Sequence, residues 1–408
     1  MAESKIFEYA VRDREGKLVK GRIEAQNQAA VANRLRTMGL APTSIAEVST
    51  SGLQREIHLP GLGERVTLKD LAVFCRQMAT MISAGLSLIR TLGILAEQTE
   101  SKPLAKVAAQ VRSDVEVGGS LSSALDKHRR VFPPIMVNIV RAGEVGGFLE
   151  RAMLSVAENF EAEVKLRAKV KSAMTYPVVV FCIAILAVVG MLLFIVPVFE
   201  GIFSDLGHEL PLPTRILVVL SSAMRWALPV LIIGLVAFGI WWGRHKNDDA
   251  VRSRVDPWKI KVPVFGNLIR KIAIARFSRN FGTMLGAGVP LLQALDIVGR
   301  TSGNWVVERA VDAVHESVRV GHPLADPLSH HPVFPPMVVQ MMTVGEEAGA
   351  LEIMLAKISE FYDQEVETTT EQLTSLIEPL MIAFLGVIVG GMIIALYLPI
   401  FSVFQYVS

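Results

Sequence analysis

Two cysteines in 408 residues leave this chain no disulfide framework to rely on. Cys75 falls in a charged helical stretch and Cys182 inside an apolar run, so the two thiols are expected in different environments. Charge of one sign is equally short. Against 41 basic residues stand 39 acidic ones, and the net +2 gives no overall field that would draw the protein to nucleic acid. The opening MAESKIFEYAVRDREGK lacks the apolar core of a cleaved signal peptide, so the first domain is expected to stay on the side of synthesis. Phosphate-loop chemistry is missing too: Gly61-Leu-Gly63, Gly118-Gly119 and Gly286-Ala-Gly288 have no Lys-Ser/Thr after them, which argues against nucleotide hydrolysis by this chain. His330-His331 has no cysteine or carboxylate at ligand spacing and reads as an exposed loop. With no nucleophile, acid-base pair or metal set in view, the expectation is a protein that is not an enzyme and carries no cofactor.

What the sequence has in plenty is apolar side chains, 51% of the total, and that composition points to the membrane class. Residues 178–196 are nineteen consecutive apolar residues, which as a helix cover roughly the ~30 Å of bilayer hydrocarbon. Residues 226–242 form a second run, with tryptophans at both ends and Arg225 just outside, and residues 380–398 a third. Lys165, Arg167, Lys169 and Lys171 precede the first run, and Arg244, Lys246, Arg252, Arg254, Lys259 and Lys261 follow the second. Basic flanks stay in the cytoplasm, so both of these sides are read as cytoplasmic and the acidic link between the runs as outer.

The strongest signal is internal repetition. FCRQMATMISAGLSLIRTLGIL, from Phe74, aligns without gaps on FSRNFGTMLGAGVPLLQALDIV, from Phe277, with nine identities at an offset of 203. One residue is lost before Phe132-Pro133-Pro134 meets Phe334-Pro335-Pro336, and the register then holds through residues 141–149 and 343–351. Pro197-Val198-Phe199 and Pro399-Ile400-Phe401 close the two copies just beyond their apolar runs. Each copy is therefore a helical bundle leading into a membrane helix, and the second run returns the chain. Local chemistry bounds some helices: Thr67 to Asp70 has capping-box character, Gly85 and Gly288 suit helix ends, and Ser101 with Pro103 can begin a helix. Leu149, Met153, Val156, Phe160 and Val164 form one apolar stripe on a long helix that runs towards the first span.

The expected fold class is a mainly α membrane protein with two homologous cytoplasmic antiparallel helix bundles, three transmembrane helices and a small N-terminal α+β domain. Its parts are expected at 1–50 (the α+β domain), 51–66 (linker), 67–175 (first bundle), 177–197 (first span), 198–220 (short outer loop), 221–243 (second span), 244–376 (second bundle), 378–399 (third span) and 400–408 (outer tail). Within the first part, strands are expected from Phe7 and over 19–25, a turn at 13–16 and a helix over 29–38.

Several residues stand out as interaction candidates. Glu144 and Glu346 belong to a duplicated Gly-Glu-x-x-Gly, at 143–147 and 345–349. They are read either as complements to the positive end of the following helix or as partner contacts at an exposed turn. Arg76 and Arg279 share a position in otherwise apolar helices, where an internal ion pair is expected. Glu161, Glu163, Asp363 and Glu365 read as a solvated helix face, with a hard cation as the alternative. Glu378 replaces Tyr176 at the mouth of the third span, and Gly386 to Gly390 is a GxxxG match occurring only in the second copy.

Two Gly-Glu-x-x-Gly units, each preceded by Phe-Pro-Pro and followed by a span ending in Pro-(Val/Ile)-Phe, resemble the type II secretion system F family over about residues 1–405. Phe7-Glu-Tyr-Ala and the later GKLVKGRIEA resemble the family's small amino-terminal domain, and residues 373–381 and 395–401 look closer to its pilus branch. The resemblance implies a non-enzymatic inner-membrane platform. A hexameric cytoplasmic assembly ATPase would engage the bundles, pilin or pseudopilin subunits would be passed from the bilayer into a filament, and other inner-membrane machine components and a homo-oligomer would complete it. The competing expectation is a transporter built from a duplicated unit.

Overall fold

Thr67 opens the first bundle helix as expected: its hydroxyl accepts from the Asp70 N–H and the Asp70 carboxylate accepts from the Thr67 N–H, satisfying two orphan donors at once. The computed structural model describes residues 5–12, 18–25, 30–32, 42–47, 66–205, 211–263 and 265–407. The chain divides into two compact units, Met1–Arg65 and Val66–Ser408.

The first unit holds a three-stranded antiparallel sheet of β1 (Lys5–Arg12), β2 (Leu18–Ala25) and β3 (Pro42–Glu47), in the order β2-β1-β3. The third strand was not legible in the sequence, because a short run led by a proline carries little alternation. Residues 30–32 are helical. The expected turn at 13–16, most of the expected helix over 29–38 and the linker lie outside the described residues.

The second unit contains the repeat. The first copy runs α1 (Leu68–Ser83), α2 (Leu88–Gln98), α3 (Lys102–Glu116), α4 (Leu121–Asp126), α5 (Pro134–Gly146) and α6 (Leu149–Gly190). A π-helical turn, Met191–Ile195, joins α6 to α7 (Val196–Asp205). The return helix α8 (Leu212–His245) and a connecting helix α9 (Asp249–Lys261) follow. The second copy is α10 (Phe265–Gly286), α11 (Leu291–Thr301), α12 (Trp305–Arg319), α13 (Ala325–Ser329), α14 (Pro336–Glu347) and α15 (Leu351–Val407).

The Phe-Pro-Pro motif explains itself in this frame. Pro133 and Pro335 are N-caps and the prolines after them start α5 and α14, where a missing N–H costs nothing. The preceding Phe132 and Phe334 are buried against Phe74 and Phe277, the phenylalanines that begin the aligned segment, with ring centroids 6.2 and 5.2 Å apart. Gly85 and Gly288 adopt φ of 83° and 74° after α1 and α10, the left-handed turn that ends a helix most easily with glycine.

α6 and α15 are single helices that begin in the bundle and continue through Pro177 and Pro379 into the membrane. Three helices are long and apolar enough to cross a bilayer: Leu149–Ile202, Leu212–His245 and Leu351–Leu398. Protein covers only 11, 11 and 22% of their apolar windows, so this surface suits lipid and not water. The spans meet around Leu192, Val196, Met392 and Leu396, with Leu217 and Met224 of α8 packed against them. Ser221 donates to the Leu192 carbonyl at 2.6 Å and Thr214 to that of Ala395, so the return helix is tied to both repeated spans. Much of the segment expected as a short outer loop is helical, since α7 and the start of α8 occupy it. α15 likewise continues into the expected tail. Both extensions follow apolar residues that the bounding of spans at nineteen residues left out.

Candidate functional site

Glu144 and Glu346 sit in the last turns of α5 and α14, half-buried. Glu144 accepts from the N–H groups of Leu121 and Ser122 at 2.6 and 3.1 Å and from the Ser122 hydroxyl at 2.7 Å. Glu346 accepts from the N–H groups of Leu324 and Ala325 at 2.7 and 3.2 Å. These are the repeat-equivalent starts of the short helices α4 and α13. The carboxylates complement a helix terminus, as one reading had it, but the helix is the one before and not the one after. The reason is geometric: the Gly-Glu-x-x-Gly lies at the C-terminal end of its own helix, and a glutamate there faces the neighbouring chain reversal.

The glycines of the motif have separate tasks. A Cβ at Gly143 would overlap that of Ala152, and one at Gly345 would come within 2.9 to 3.1 Å of Met354 and Leu351, so both let the next helix approach closely. Gly147 and Gly349 take φ of 74° and 63° and reverse the chain into α6 and α15. Pro177 is 28 residues along from Leu149, as Pro379 is from Leu351, so these turns lie ~40 Å from the mouth of the spans at ~1.5 Å per residue.

Arg76 donates to Glu161 at 2.9 and 2.6 Å, a two-pronged pair between α1 and α6. Arg279 makes the equivalent pair in the second copy, with one guanidinium nitrogen, Nη2, donating to both oxygens of Asp363. Hydrogen bonding from Arg76 holds the Glu161 carboxyl below its ordinary value of 4.5, and the same bond pushes the guanidinium up. With Ser83 donating to Glu150 at 2.5 Å, the order of contacts shows α1 and α6 to be antiparallel.

Glu163 was missed as the centre of a seam between the copies. It is buried and is met by Arg167 at 2.5 Å, by Arg276 at 2.7 Å and, at 3.6 Å, by Arg279, which spans from it to Asp363. Asn159 donates to Asn280 and Thr283 at 3.1 Å, Lys169 pairs with Glu367, and Gln293 donates to Asn138 at 2.7 Å. Glu365, equivalent to Glu163, pairs with Lys271 at 2.6 Å. The four carboxylates read from sequence as a solvated face or a cation site are thus each held by basic side chains. Among the described residues no group of three His, Cys, Asp or Glu is placed to hold a metal. Beside the seam, α6, α10 and α15 enclose an open cleft of about 750 Å³ with Arg151, Lys165 and Lys169 on one wall and Glu352, Glu360 and Asp363 on another.

Glu378 and Tyr176 line one small apolar pocket of about 50 Å³ with Pro177 and Met381, so the repeat-equivalent mouths of the two spans face each other. Gly386 and Gly390 meet nothing: a Cβ added to either has open space within 4 Å. The structure therefore brings Arg279 into the seam, sets Arg76, Glu144 and Glu346 within the bundles, and leaves the two glycines on an uncovered face of α15. Cys75 is fully buried, which pushes its thiol up, whereas Cys182 is exposed on the first span.

The architecture defines a multi-pass helical membrane protein made of a duplicated bundle-and-span unit. The family model for type II secretion system protein F matches residues 74–197 and again 277–399, and the model for that family's N-terminal domain matches residues 1–46. The chain belongs to the type II secretion system protein F family. Similar proteins include the type IV pilus assembly protein PilC of Thermus thermophilus, 45% identical over 405 residues and 99% of each chain. The type IV pilus assembly protein PilC of Myxococcus xanthus is 43% identical over 97% of this chain and 94% of its own. The type II secretion system protein F of Xanthomonas campestris pv. campestris is 32% identical over 97 and 98%.

Proposed function

We propose that this chain is the non-enzymatic inner-membrane platform of a type IV pilus machine. In this reading it couples a hexameric cytoplasmic ATPase to the extraction of pilin subunits from the bilayer and their assembly into a filament. The observation that carries the proposal is the unbroken run of α6 and α15 from bundle to span, within a sequence whose pilus relatives include two at 43 and 45% identity, while the secretion protein named above is 32% identical. A continuous helix transmits displacement along its axis, and α8 links both repeated spans so that they respond together. No relative named above is a transporter.

The amino terminus and both bundles lie in the cytoplasm and the carboxyl terminus outside, because the basic residues that flank the first two spans favour that side. ATPase contact falls on the ends of the bundles far from the membrane, where Val117 and Val145 of copy one and Val320 of copy two are exposed beside the Gly-Glu turns. Pilin contact falls on the spans. Co-purification with the candidate ATPase, with hydrolysis measured in nanodiscs, tests the reading: binding and stimulation are expected, and Val117→Lys with Val320→Lys should abolish both. Neither binding nor stimulation, together with solute flux in liposomes, would overturn it.

A further inference from the structure

The helix that connects the second span to the second bundle has two opposite faces. On one, Arg252 pairs with Glu308 at 2.6 Å, and the buried Asp256 accepts from the Trp305 N–H at 3.0 Å while pairing with Lys259. These contacts anchor α9 to α12 and fix its rotation. At ~100° per residue, Arg254, Trp258 and Lys261 fall within about 60° of one another and roughly 160° from that anchored face. All three are exposed, Trp258 by 69%, and none has a side-chain partner. An uncovered tryptophan between two unpaired cations is costly to leave in water and suits the headgroup layer of a membrane.

Both ends of α9 are held near the membrane. Its start is separated from the end of α8 by residues 246–248 alone, a reach of at most about 14 Å. Its end leads into α10, whose Leu268 and Ile272 pack with Val366 and Leu373 of α15. Leu373 is five residues before Glu378 at the mouth of the third span, about 8 Å along the helix. Exposed Arg244 and Lys246 extend the cationic surface towards α8.

We propose that α9 lies on the membrane surface and that its Arg254, Trp258 and Lys261 face binds anionic lipid headgroups. The occupant follows from charge complementarity, since an anionic leaflet attracts juxtamembrane cations, and from the tethering of both helix ends at that level. The second bundle is thereby held against the bilayer by a surface contact as well as by its span. This inference rests on the spans and not on which machine they serve.

The full-length protein gives a direct test. Cys75 is buried and resists labelling, so a Cys182→Ala, Trp258→Cys protein carries a spin label at one place. In phosphatidylglycerol-containing vesicles the label should lose contact with an aqueous nickel complex and gain contact with oxygen; in phosphatidylcholine alone it should remain aqueous. Arg254→Glu with Lys261→Glu should return it to water in the anionic vesicles. A Val320→Cys label, on a turn far from the spans, should stay aqueous throughout. An aqueous signal at position 258 in every vesicle overturns the proposal, as does equal protection in both lipids or indifference to the charge reversal.

Discussion

Arg76 and Arg279 occupy one position of the repeat and make one bond, yet their side chains are 38 and 8% exposed. That difference decides what each is worth. An exposed pair such as Arg76 with Glu161 contributes at most about 1 kcal/mol, because water screens the attraction. A guanidinium buried as Arg279 is makes a less screened pair, whose loss costs more than that of an exposed one. Arg279→Gln leaves the partly exposed Asp363 without its cation while Glu163 keeps Arg167 and Arg276, and it is expected to lower the unfolding midpoint in detergent further than Arg76→Gln does. Similar shifts would mean that the seam around Glu163 is wetter than its burial implies. The weaker pair has a pH signature. Because Glu161 is held below 4.5 when folded, its contribution is complete above that value and fades as pH falls through the lower folded one. The stability gap between wild type and Arg76→Gln should stay constant from about pH 7 to about pH 5 and close in stronger acid, as unfolding scans across that range would show.

At the scale of elements, the Gly-Glu turn joins three helices: its own, the short one whose N–H groups the glutamate accepts, and the long one that leaves for the membrane. Glu144→Ala and Glu346→Ala each remove a charged acceptor from two backbone donors, a loss of about 1 to 3 kcal/mol. Hydrogen exchange should show faster opening at residues 121–126 in the first variant and 324–329 in the second, with α1 and α10 unchanged. Uniform loss of protection would instead place the carboxylates in the global core. The existence of this turn was legible in the sequence, because two copies in one chain mark what they share. Which helix the glutamate serves was not, since Leu121 and Glu144 are 23 residues apart and periodicity carries no distance across a reversal. The same limit hid Glu163, whose three arginines lie on two different copies, and α9, whose mixed charges conceal two opposite faces. Caps and end glycines were readable at Thr67, Gly85 and Gly288 because their chemistry is completed within a few residues.

Over the whole molecule the two copies are bound into one body by the seam below the membrane and by α8 within it, but their spans are unequal. Gly386 and Gly390 have no counterpart in the first copy, and the space beside them is empty in the single chain. A Cβ at either position therefore meets nothing within the protomer, and a larger side chain there is expected to act on what lies outside it. Glu378, exposed at the mouth of the same span, adds a carboxylate at a depth where pairing with another protomer is favourable. Gly390→Leu and Glu378→Ala are accordingly expected to leave the unfolding midpoint nearly unchanged while lowering the oligomeric mass measured by light scattering in nanodiscs. Val188→Leu and Tyr176→Ala, at the matching places of the first span, should leave that mass intact. Equal loss from both pairs would make the two spans interchangeable in assembly, and a midpoint that fell with the mass would move the glycine face from between protomers to within one.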